Sequence, residues 1–545
     1  MQENICFRRF GTMLDCSRNA VMNVGSIKKW IDITSDLGYN TLMLYTEDTY
    51  EVDGQPYFGY MRGRYTQKEL REVNDYAVSK GMELIPCIQT LAHLNAIVRW
   101  PAYKEHVDTD DILLAGDEVV YELIDSMFAT LAKCFTSRIV NLGMDEADMI
   151  GRGKYYDLHG DAVRSGILLE HMKKVSEIGK KYGFTFVMWS DMFYRLATEC
   201  NYRTPSTEIE EGVKEQIPDN VELIYWDYYS TDKKHYEDML AAHENIKKGC
   251  WFAGGLWTWT GIAPHNGYSM KEVEAAFDGC FKNGIKDVLL TLWGDDGGEC
   301  SRFAVLPALF YASELVKGNT NKENIKAKFK EKYGIAFDRF MLLDLPKTAG
   351  GSADRVCNAD KYLLYNDFFT GLMDCTLSGG ENEQYKACAR KLALLKKNEE
   401  WGYLFETSHA LCEVLAIKAE LSAKTRQIYH SKDKEALKSL IVDYKQLYKK
   451  LKLLHKAYKK QWFMENKSYG FDVQDLRLGG LMQRLESCVD RLQDLYDGKI
   501  EVIEELEEKQ LDFFENSEEF VTGHQRYCFL WGKIATASII TNGYI

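Results

Sequence analysis

The first 310 residues of the chain repeat one pattern eight times: a short apolar run that ends in polar or aromatic residues, then a stretch with helical periodicity. The runs span residues 8–15, 39–48, 82–90, 138–146, 184–192, 221–229, 249–259 and 286–296. Strands that are apolar throughout and alternate with helices indicate a parallel sheet buried on both faces. Eight such units favour a closed barrel over an open, doubly wound sheet. We therefore predict an α/β protein built on a (β/α)8 (TIM) barrel.

Local signals agree with this order of elements. Ser26 and Thr66 stand where helix N-caps are expected, and Gly38 and Gly81 stand where helices should end. No G-x-G-x-x-G segment follows the first run, which counts against a dinucleotide-binding fold.

The repeating pattern of apolar runs and helical stretches ends at about residue 310. Pro346 is the last of the 8 prolines, and long stretches of good helix formers follow it. We predict a catalytic barrel over residues 1–312 and an all-α domain over residues 313–545. The second half contains no cluster of candidate catalytic residues. We expect it either to support the barrel or to form the interface of a homodimer.

Composition and charge narrow the class of function. The net charge of −14 disfavours nucleic acid and anionic membranes as partners. No stretch approaches the ~20 apolar residues that span a bilayer, and the N-terminus lacks a signal-peptide pattern. The 14 cysteines are scattered without a C-x-x-C pair, which is typical of free thiols in a reducing compartment. We expect a cytoplasmic protein with no metal and no cofactor.

In a (β/α)8 barrel the active site lies at the carboxyl ends of the strands. Here those ends collect carboxylates, aromatic rings, an amide and an imidazole: Glu47, Asp48, Gln89, His93, Asp145, Glu146, Trp189, Asp191, Tyr225, Asp227, Tyr228, Trp257, Trp259, Trp293, Asp295 and Asp296. Aromatic rings cover the apolar faces of sugars, and carboxylates bind sugar hydroxyls. Cleavage of a glycosidic bond also needs a proton donor and an anion beside an oxocarbenium-like centre. The pattern therefore predicts a carbohydrate-processing site.

The segment NLGMDEADMIG around Asp145 and Glu146 resembles glycoside hydrolase family 20, the β-N-acetylhexosaminidases, whose fourth strand usually carries H-x-G-G-D-E. Further segments resemble the family in the correct order: LDCSRNAV at 14–21, the strand-2 loop and helix at 45–77, IPCIQTLAHL at 85–94 and LTLWGDDGGE at 290–299. The resemblance covers most of the barrel, without the small α/β domain that often precedes it.

The resemblance implies an exo-β-N-acetylhexosaminidase that removes terminal, non-reducing, β-linked GlcNAc or GalNAc from a small glycan or glycoconjugate by substrate-assisted, retaining catalysis. Glu146 would protonate the leaving oxygen and then activate water, and Asp145 would orient the 2-acetamido group. The implied substrate-binding residues are Arg18, Asp48, His93, Trp189, Tyr225, Asp227, Trp257, Trp293 and Asp295. Among them, Tyr225 would bind the acetamido carbonyl, Asp227 and Asp295 the hydroxyls at O4 and O6, and His93 and Asp48 would form a supporting pair.

The chain departs from the family pattern at several positions. Before Asp145 and Glu146, Asn141 stands in place of the family's histidine and Met144 in place of a glycine. Phe10 stands where the family places an arginine that hydrogen-bonds O3 and O4 of the sugar, and Arg18 is our candidate for that role. Asp295 is one methylene shorter than the usual glutamate, so the choice between GlcNAc and GalNAc stays open.

Two other functions are compatible with these residues. One is a catalytically inactive barrel that binds sugars, which the departures at Asn141 and Phe10 would permit. The other is an ordinary retaining glycosidase in which two carboxylates act as acid and nucleophile.

Overall fold

The computed structural model describes residues 7–198, 202, 204–295, 297–350 and 352–511. Its first compact unit contains a closed barrel of eight strands, and every pair of neighbouring strands is parallel. The strands are β1 (Arg9–Asp15), β2 (Thr41–Glu47), β3 (Glu83–Ile88), β4 (Ile139–Asn141), β5 (Thr185–Trp189), β6 (Val221–Trp226), β7 (Trp251–Gly255) and β8 (Asp287–Leu292). The predicted barrel is confirmed, and each strand lies within one of the eight predicted runs.

A helix follows each strand and completes the (β/α)8 order. These helices are α1 (Val24–Leu37), α2 (Gln67–Ser79), α3 (Glu118–Cys134), α4 (Arg164–Lys180), α5 (Asp191–Thr198), α6 (Lys233–Ile246), α7 (Asn266–Asn283) and α8 (Leu306–Val316). The loops after β3 and β4 carry the short helices Asn95–Val98 and Lys154–His159, and the short helix Glu211–Lys214 lies between α5 and β6. In the loop after β3, Val107–Thr109 pairs with Ile112–Leu113 in a two-stranded ribbon.

The helix ends show which local signals were informative. Thr66 caps α2 in a capping box with Glu69, as predicted for Thr66, and Gly38 ends α1 in the left-handed conformation with φ of 94°. The prediction that Ser26 caps α1 is wrong. Asn23 is the N-cap, and its Oδ1 accepts the Ser26 N–H at 2.8 Å.

A charged cluster shows which side chains face the inside of the barrel. The Arg9 guanidinium on β1 lies 2.9 Å from Glu83 on β3 and 3.2 Å from Asp287 on β8. Because β2 separates β1 from β3, the contact with Glu83 crosses the barrel interior. Side chains alternate along a strand, so Asp15, six residues after Arg9, also faces inward at the opposite end.

The second compact unit consists of residues 257–268, 294–308 and 321–545. Its described helices beyond residue 321 are Lys322–Tyr333, Phe337–Phe340, Leu345–Ala349, Ala359–Tyr365, Glu381–Ala393, Gly402–Lys418, Leu421–Ser431, Lys434–Glu465, Phe471–Tyr496 and Glu504–Glu507. The region is helical, as expected. No helix within the described ranges is both long and apolar enough to cross a membrane.

A buried ion cluster joins separate segments of this second unit. The Glu299 carboxylate lies 2.9 Å from Lys361 Nζ and 2.8 Å from Arg477 Nη1, and Glu299 and Lys361 are almost fully buried. Burial acts to raise the pKa of Glu299, but the two cations lower it below its ordinary value. The cluster is therefore charged, and each member depends on the others for neutralisation.

Replacing Glu299 with Gln should lower the free energy of unfolding of this unit by roughly 3–5 kcal/mol, because two buried cations lose their anion. Urea unfolding at neutral pH measures this loss. Since the folded-state pKa of Glu299 is depressed, the stabilisation should be present above its unfolded pKa, about 4.3, and fade as the pH falls below it. Glu486→Gln, at an exposed position of the same unit, is the control and should change little. A loss for Glu299→Gln as small as that of the control would contradict this account.

Candidate active site

The turn that follows β4 places the two acidic residues predicted to be catalytic. Asn141 Oδ1 accepts the Gly143 backbone N–H at 2.9 Å, and Gly143 has φ of 71°. A Cβ at Gly143 would lie 2.1 Å from Gln89 Oε1, so only glycine fits there. Met144 and Glu146 also adopt left-handed conformations, with φ of 65° and 52°. Such backbone costs of order 1–3 kcal/mol at each non-glycine residue and typically occurs at functional sites.

Asp145 is held as a buried anion. Gln89 Nε2 donates to its Oδ1 at 2.7 Å, and His93 Nε2 lies 3.3 Å from its Oδ2. Burial acts to raise the pKa of Asp145, but the charge and hydrogen bond of His93 and the hydrogen bond from Gln89 lower it below its ordinary value. One carboxylate oxygen thus accepts a hydrogen bond from Gln89, and the other lies beside the His93 imidazole.

His93 is the cation that neutralises this carboxylate. Burial lowers the pKa of His93, but Asp145 outweighs burial and raises the pKa to about 10. The same Nε2 lies 3.7 Å from Glu146 Oε2, so one imidazole contacts both acidic residues. Its backbone N–H donates to Asp111 Oδ2 at 3.1 Å, which fixes the residue in a left-handed conformation with φ of 56°.

Glu146 is the more accessible of the two acids, with 45% of its side chain exposed. Its backbone N–H donates to Asp191 Oδ2 at 3.0 Å, and its Oε1 lies 3.2 Å from Arg195 Nη2. The backbone hydrogen bond and the ion pair with Arg195 hold a solvent-exposed carboxyl at this end of the barrel, where a general acid–base residue would meet its substrate.

Arg195 and Asp191 form an ion pair beside Glu146 that the sequence analysis does not predict. Arg195 Nε lies 3.0 Å from Asp191 Oδ2 on the same helix, and its Nη1 lies 3.0 Å from Asp148 Oδ2. Burial, together with the charges of Asp145 and Glu146, raises the pKa of Asp191 to about 7, although Arg195 opposes this. Asp191 stood at a predicted strand end, and the four-residue spacing to Arg195 was the available signal for an ion pair.

Tryptophans and an arginine lie on the inner face of the barrel near its top. The rings of Trp189 and Trp293 are 5.9 Å apart, and Tyr45 meets Trp293 edge to face at 4.8 Å. The Arg18 guanidinium lies 5.0 Å from the Tyr45 ring centroid and 5.4 Å from that of Trp293. Tyr45 also accepts a hydrogen bond from Gln89 Nε2 at 2.9 Å, which connects this aromatic wall to Asp145.

Arg18 therefore reaches the barrel mouth from the loop after β1. It lies 3.1 Å from Asp15 Oδ2 and 3.4 Å from Glu47 Oε1, and both carboxylates are buried. Two anions and two aromatic rings hold the guanidinium in one position, so it is fixed before any ligand arrives. Phe10, in contrast, stacks on Tyr39 at 4.0 Å.

The predicted pairing of Asp48 with His93 is not observed. Asp48 is buried and lies 3.2 Å from Arg62, whereas His93 contacts Asp145 and Glu146. The strand pairing shifts its register between Tyr45 and Glu47, which changes the direction of the side chains that follow.

The structure turns Tyr225 away from the barrel interior. Arg9 on β1 lies over the Trp251 ring on β7, and Trp251 Nε1 donates to Glu222 Oε2 at 2.7 Å, so Glu222 faces inward. Tyr225, three residues later on β6, consequently faces the helices. Its ring stacks on His243 of α6 at 4.4 Å.

Asp227 shares these surroundings. It accepts hydrogen bonds from Tyr225 at 2.9 Å and pairs with His235 at the start of α6 at 2.7 Å. Tyr228, two residues beyond the end of β6, contacts the aromatic wall, since it accepts a hydrogen bond from Trp293 Nε1 at 2.9 Å. The structure thus does not bring Tyr225 to Asp145 and Glu146, and it shows Asp227 in contact with α6.

Trp257 and Asp295 belong to the second compact unit. Trp257 is buried and stacks on Trp259 at 4.2 Å, and Asp295 is half-buried two residues after Trp293. Their roles in sugar binding stay predictions, and Asp296, the next candidate at this strand end, lies outside the described residues.

Two family models match the chain. The model of the glycosyl hydrolase family 20 catalytic domain matches residues 7–239, and the model of the glycoside hydrolase 20C C-terminal domain matches residues 338–524. Hexosaminidase D of Bos taurus is 21% identical over 331 residues, which are 55% of this chain and 90% of that protein. Hexosaminidase D of Homo sapiens is 22% identical over 213 residues, which are 37% of this chain and 42% of that protein.

Among solved structures, the β-N-acetylhexosaminidase from Bacteroides fragilis NCTC 9343 is 19% identical, with a TM-score of 0.47 over 60% of this chain and 70% of that one. Taken with the two family matches, the eight-stranded barrel and its adjacent acidic residues after the fourth strand define a glycoside hydrolase. The chain belongs to glycoside hydrolase family 20.

If Asp145 sets the charge of His93, then Asp145→Asn should lower the pKa of the imidazole from about 10 to about 6.5 or below, because burial then acts with less opposition. At pH 8 the His93 imidazole should therefore be protonated in the wild type and neutral in the Asp145→Asn variant. Histidine-selective ¹⁵N NMR titration measures both values, with His93→Gln used to assign the signal. An imidazole that titrates near pH 6 in the wild type would overturn this description of the pair.

Proposed function

We propose that the protein is an exo-β-N-acetylhexosaminidase that removes terminal β-linked N-acetylhexosamine from glycans by substrate-assisted catalysis. Glu146 would act as general acid and then as general base, and Asp145 would orient the substrate's own 2-acetamido group. The observation that carries the proposal is the contrast between the two acids. Asp145 is a buried, hydrogen-bonded anion, whereas Glu146 is half exposed and anchored by its backbone.

This contrast favours substrate assistance over the two-carboxylate mechanism. A carboxylate nucleophile needs a free lone pair directed at the anomeric carbon. Gln89 and His93 hold the Asp145 carboxylate in place, and its lowered pKa makes it a weak base and a poor nucleophile. The same anion is suited to accept the acetamido N–H and to offset the positive charge that develops on the amide as its oxygen attacks. The substrate then supplies the nucleophile that the protein lacks.

Arg18 and the aromatic wall supply the sugar-binding surface in this proposal. Trp293, which keeps 7% of its surface exposed, would contact the apolar face of the sugar, and the fully buried Trp189 and Tyr45 would support it from behind. Arg18 would donate to the ring hydroxyls, as the arginine that the family normally places on strand 1 does. Tyr228, two residues beyond β6 and in contact with Trp293, would take the role that the resemblance implies for Tyr225.

The proposal is tested first by a pair of substrates that differ only at C2. The purified protein should release 4-nitrophenol from the β-N-acetylglucosaminide at least 10²-fold faster, in kcat/KM, than from the β-glucoside. The reason is that removal of the acetamido group removes the nucleophile. The β-N-acetylgalactosaminide, tested in parallel, measures discrimination at O4. Equal turnover of the glucoside and the acetamido sugar would favour the two-carboxylate mechanism, and glycan binding without turnover of any substrate would favour the inactive barrel.

A second test concerns the proton donor. Glu146→Gln should lower kcat by about 10²- to 10⁴-fold for substrates with poor leaving groups, because the alcohol then departs without a proton. For 2,4-dinitrophenyl substrates the loss in the glycosylation step should be much smaller, since that leaving group needs no proton. Glu177→Gln, on the barrel helix α4, is the matched control and should match the wild type. A loss independent of the leaving group would remove Glu146 from the acid role.

A further inference from the structure

An exposed aromatic cluster lies on the loops that follow β2 and β3. It consists of Tyr57, Tyr60 and Trp100, and we refer to it as the aromatic platform. Tyr57 is 44% exposed and Tyr60 is 40% exposed, and both lie within 6 Å of the half-buried Trp100, with centroid distances of 5.7 and 5.5 Å. Large aromatic side chains held together at the surface are costly to hydrate and usually mark a binding site.

The two loops that carry the platform are anchored to the protein. Phe58, between the two tyrosines, is fully buried and meets Tyr50 edge to face at 5.1 Å. Tyr103 OH donates to Gln55 Oε1 at 3.1 Å and so connects the loop of Trp100 to the loop of the tyrosines. These contacts order the loops before a ligand arrives, which reduces the entropy lost when a ligand binds.

The platform is continuous with the proposed catalytic mouth. A Cβ at Gly59 would lie 2.2 Å from the Asp48 backbone oxygen, and Arg62 pairs with the Asp48 carboxylate at 3.2 Å. Tyr60 lies between these two residues, and Asp48 directly follows Glu47, which contacts Arg18. The base of the tyrosine loop thus packs against the end of the strand that forms one wall of the mouth.

The loop that carries Trp100 gives an independent estimate of the distance between the platform and the two acidic residues. Trp100 follows His93 by seven residues, four of which form the short helix Asn95–Val98. At 1.5 Å per helical residue and 3.8 Å per remaining step, its Cα lies within about 20 Å of the His93 Cα. His93 contacts both acidic residues, so the platform lies a few sugar residues at most from the scissile bond.

We propose that the aromatic platform binds the sugars on the leaving-group side of the scissile bond, so that the substrate is an oligosaccharide rather than a small glycoside. The identity of that ligand as the remainder of the substrate rests on the function proposed above. The chemistry fits a carbohydrate: aromatic faces cover sugar C–H surfaces. The Tyr57 and Tyr60 hydroxyls and the Arg99 guanidinium, 5.0 Å from the Trp100 centroid, supply polar partners at the edges.

The size of the platform argues against a protein partner. A stable protein interface uses about 20–30 residues on each side. The exposed apolar surface here is formed by Tyr57, Tyr60, the neighbouring Met61 and part of Trp100. A surface of that size matches one or two sugar rings.

Binding and turnover test the proposal separately. In the Glu146→Gln background, isothermal titration calorimetry would compare N-acetylglucosamine with its β-1,4-linked tetrasaccharide and with a biantennary glycan that ends in β-linked N-acetylglucosamine. We expect at least one oligosaccharide to bind at least tenfold more tightly than the monosaccharide, and Trp100→Ala to abolish that advantage. Tyr57→Ala and Tyr60→Ala, at more exposed positions, should each reduce it several-fold, so a folding defect at Trp100 would not decide the result.

Turnover supplies the second readout. In an otherwise wild-type chain, Trp100→Ala should lower the ratio of kcat/KM for the oligosaccharide to that for the nitrophenyl glycoside by about tenfold. Tyr469→Ala, a half-exposed tyrosine of the second unit, is the matched control and should leave the ratio unchanged. If the wild type hydrolyses no N-acetylhexosaminide, the proposed function fails, but the calorimetric comparison still tests whether the platform binds glycans. The platform proposal is overturned if the oligosaccharides gain no affinity over the monosaccharide, or if the variants leave that gain intact.

Discussion

A buried carboxylate at the top of the fourth strand is the constraint on which the rest of the site depends. Burial alone would raise the pKa of Asp145 until the group became neutral. The charge persists because His93 lies 3.3 Å away and Gln89 donates to it at 2.7 Å. Each partner is fixed in turn, His93 through its backbone N–H to Asp111 and Gln89 through Tyr45. The ends of β2, β3 and β4 are therefore held in one arrangement by the need to stabilise a single negative charge.

The charged side chains at the carboxyl ends of the strands are predominantly acidic. Among the side chains described there, carboxylates outnumber cations: Asp15, Glu47, Asp48, Asp145, Glu146 and Asp191 against Arg18, Arg62, His93 and Arg195. Burial raises the pKa of Glu47 and, with the neighbouring carboxylates, that of Asp191 to about 7, so part of the excess can be carried by protons. An anionic site of this kind suits a reaction whose transition state gains positive charge at the sugar ring. It would be a poor site for binding phosphorylated or sulfated terminal sugars.

The sequence predicted the fold and one side of the site, but it did not predict which side chains of β6 face the barrel interior. The rule that barrel sites lie at strand ends selected Asp145 and Glu146, and the family resemblance suggested Arg18. The rule could not separate inward from outward side chains on β6, because the end of that strand is apolar on both faces and a shift of one residue exchanges Tyr225 with its neighbours. Asp48 follows a register shift that no sequence pattern signals. Arg195 lies on a helix, outside the residues to which the strand-end rule applies.

The turn before Asp145 and Glu146 positions them without the histidine and the glycine of the family pattern. Met144 occupies a position where the family pattern has glycine, and its backbone has a left-handed φ of 65°. The conformation costs a methionine free energy that glycine would not lose. Asn141 stands in place of the family's histidine and supports the turn by accepting the Gly143 N–H. The strained backbone at Met144 therefore persists because contacts elsewhere in the turn, among them this hydrogen bond, stabilise it.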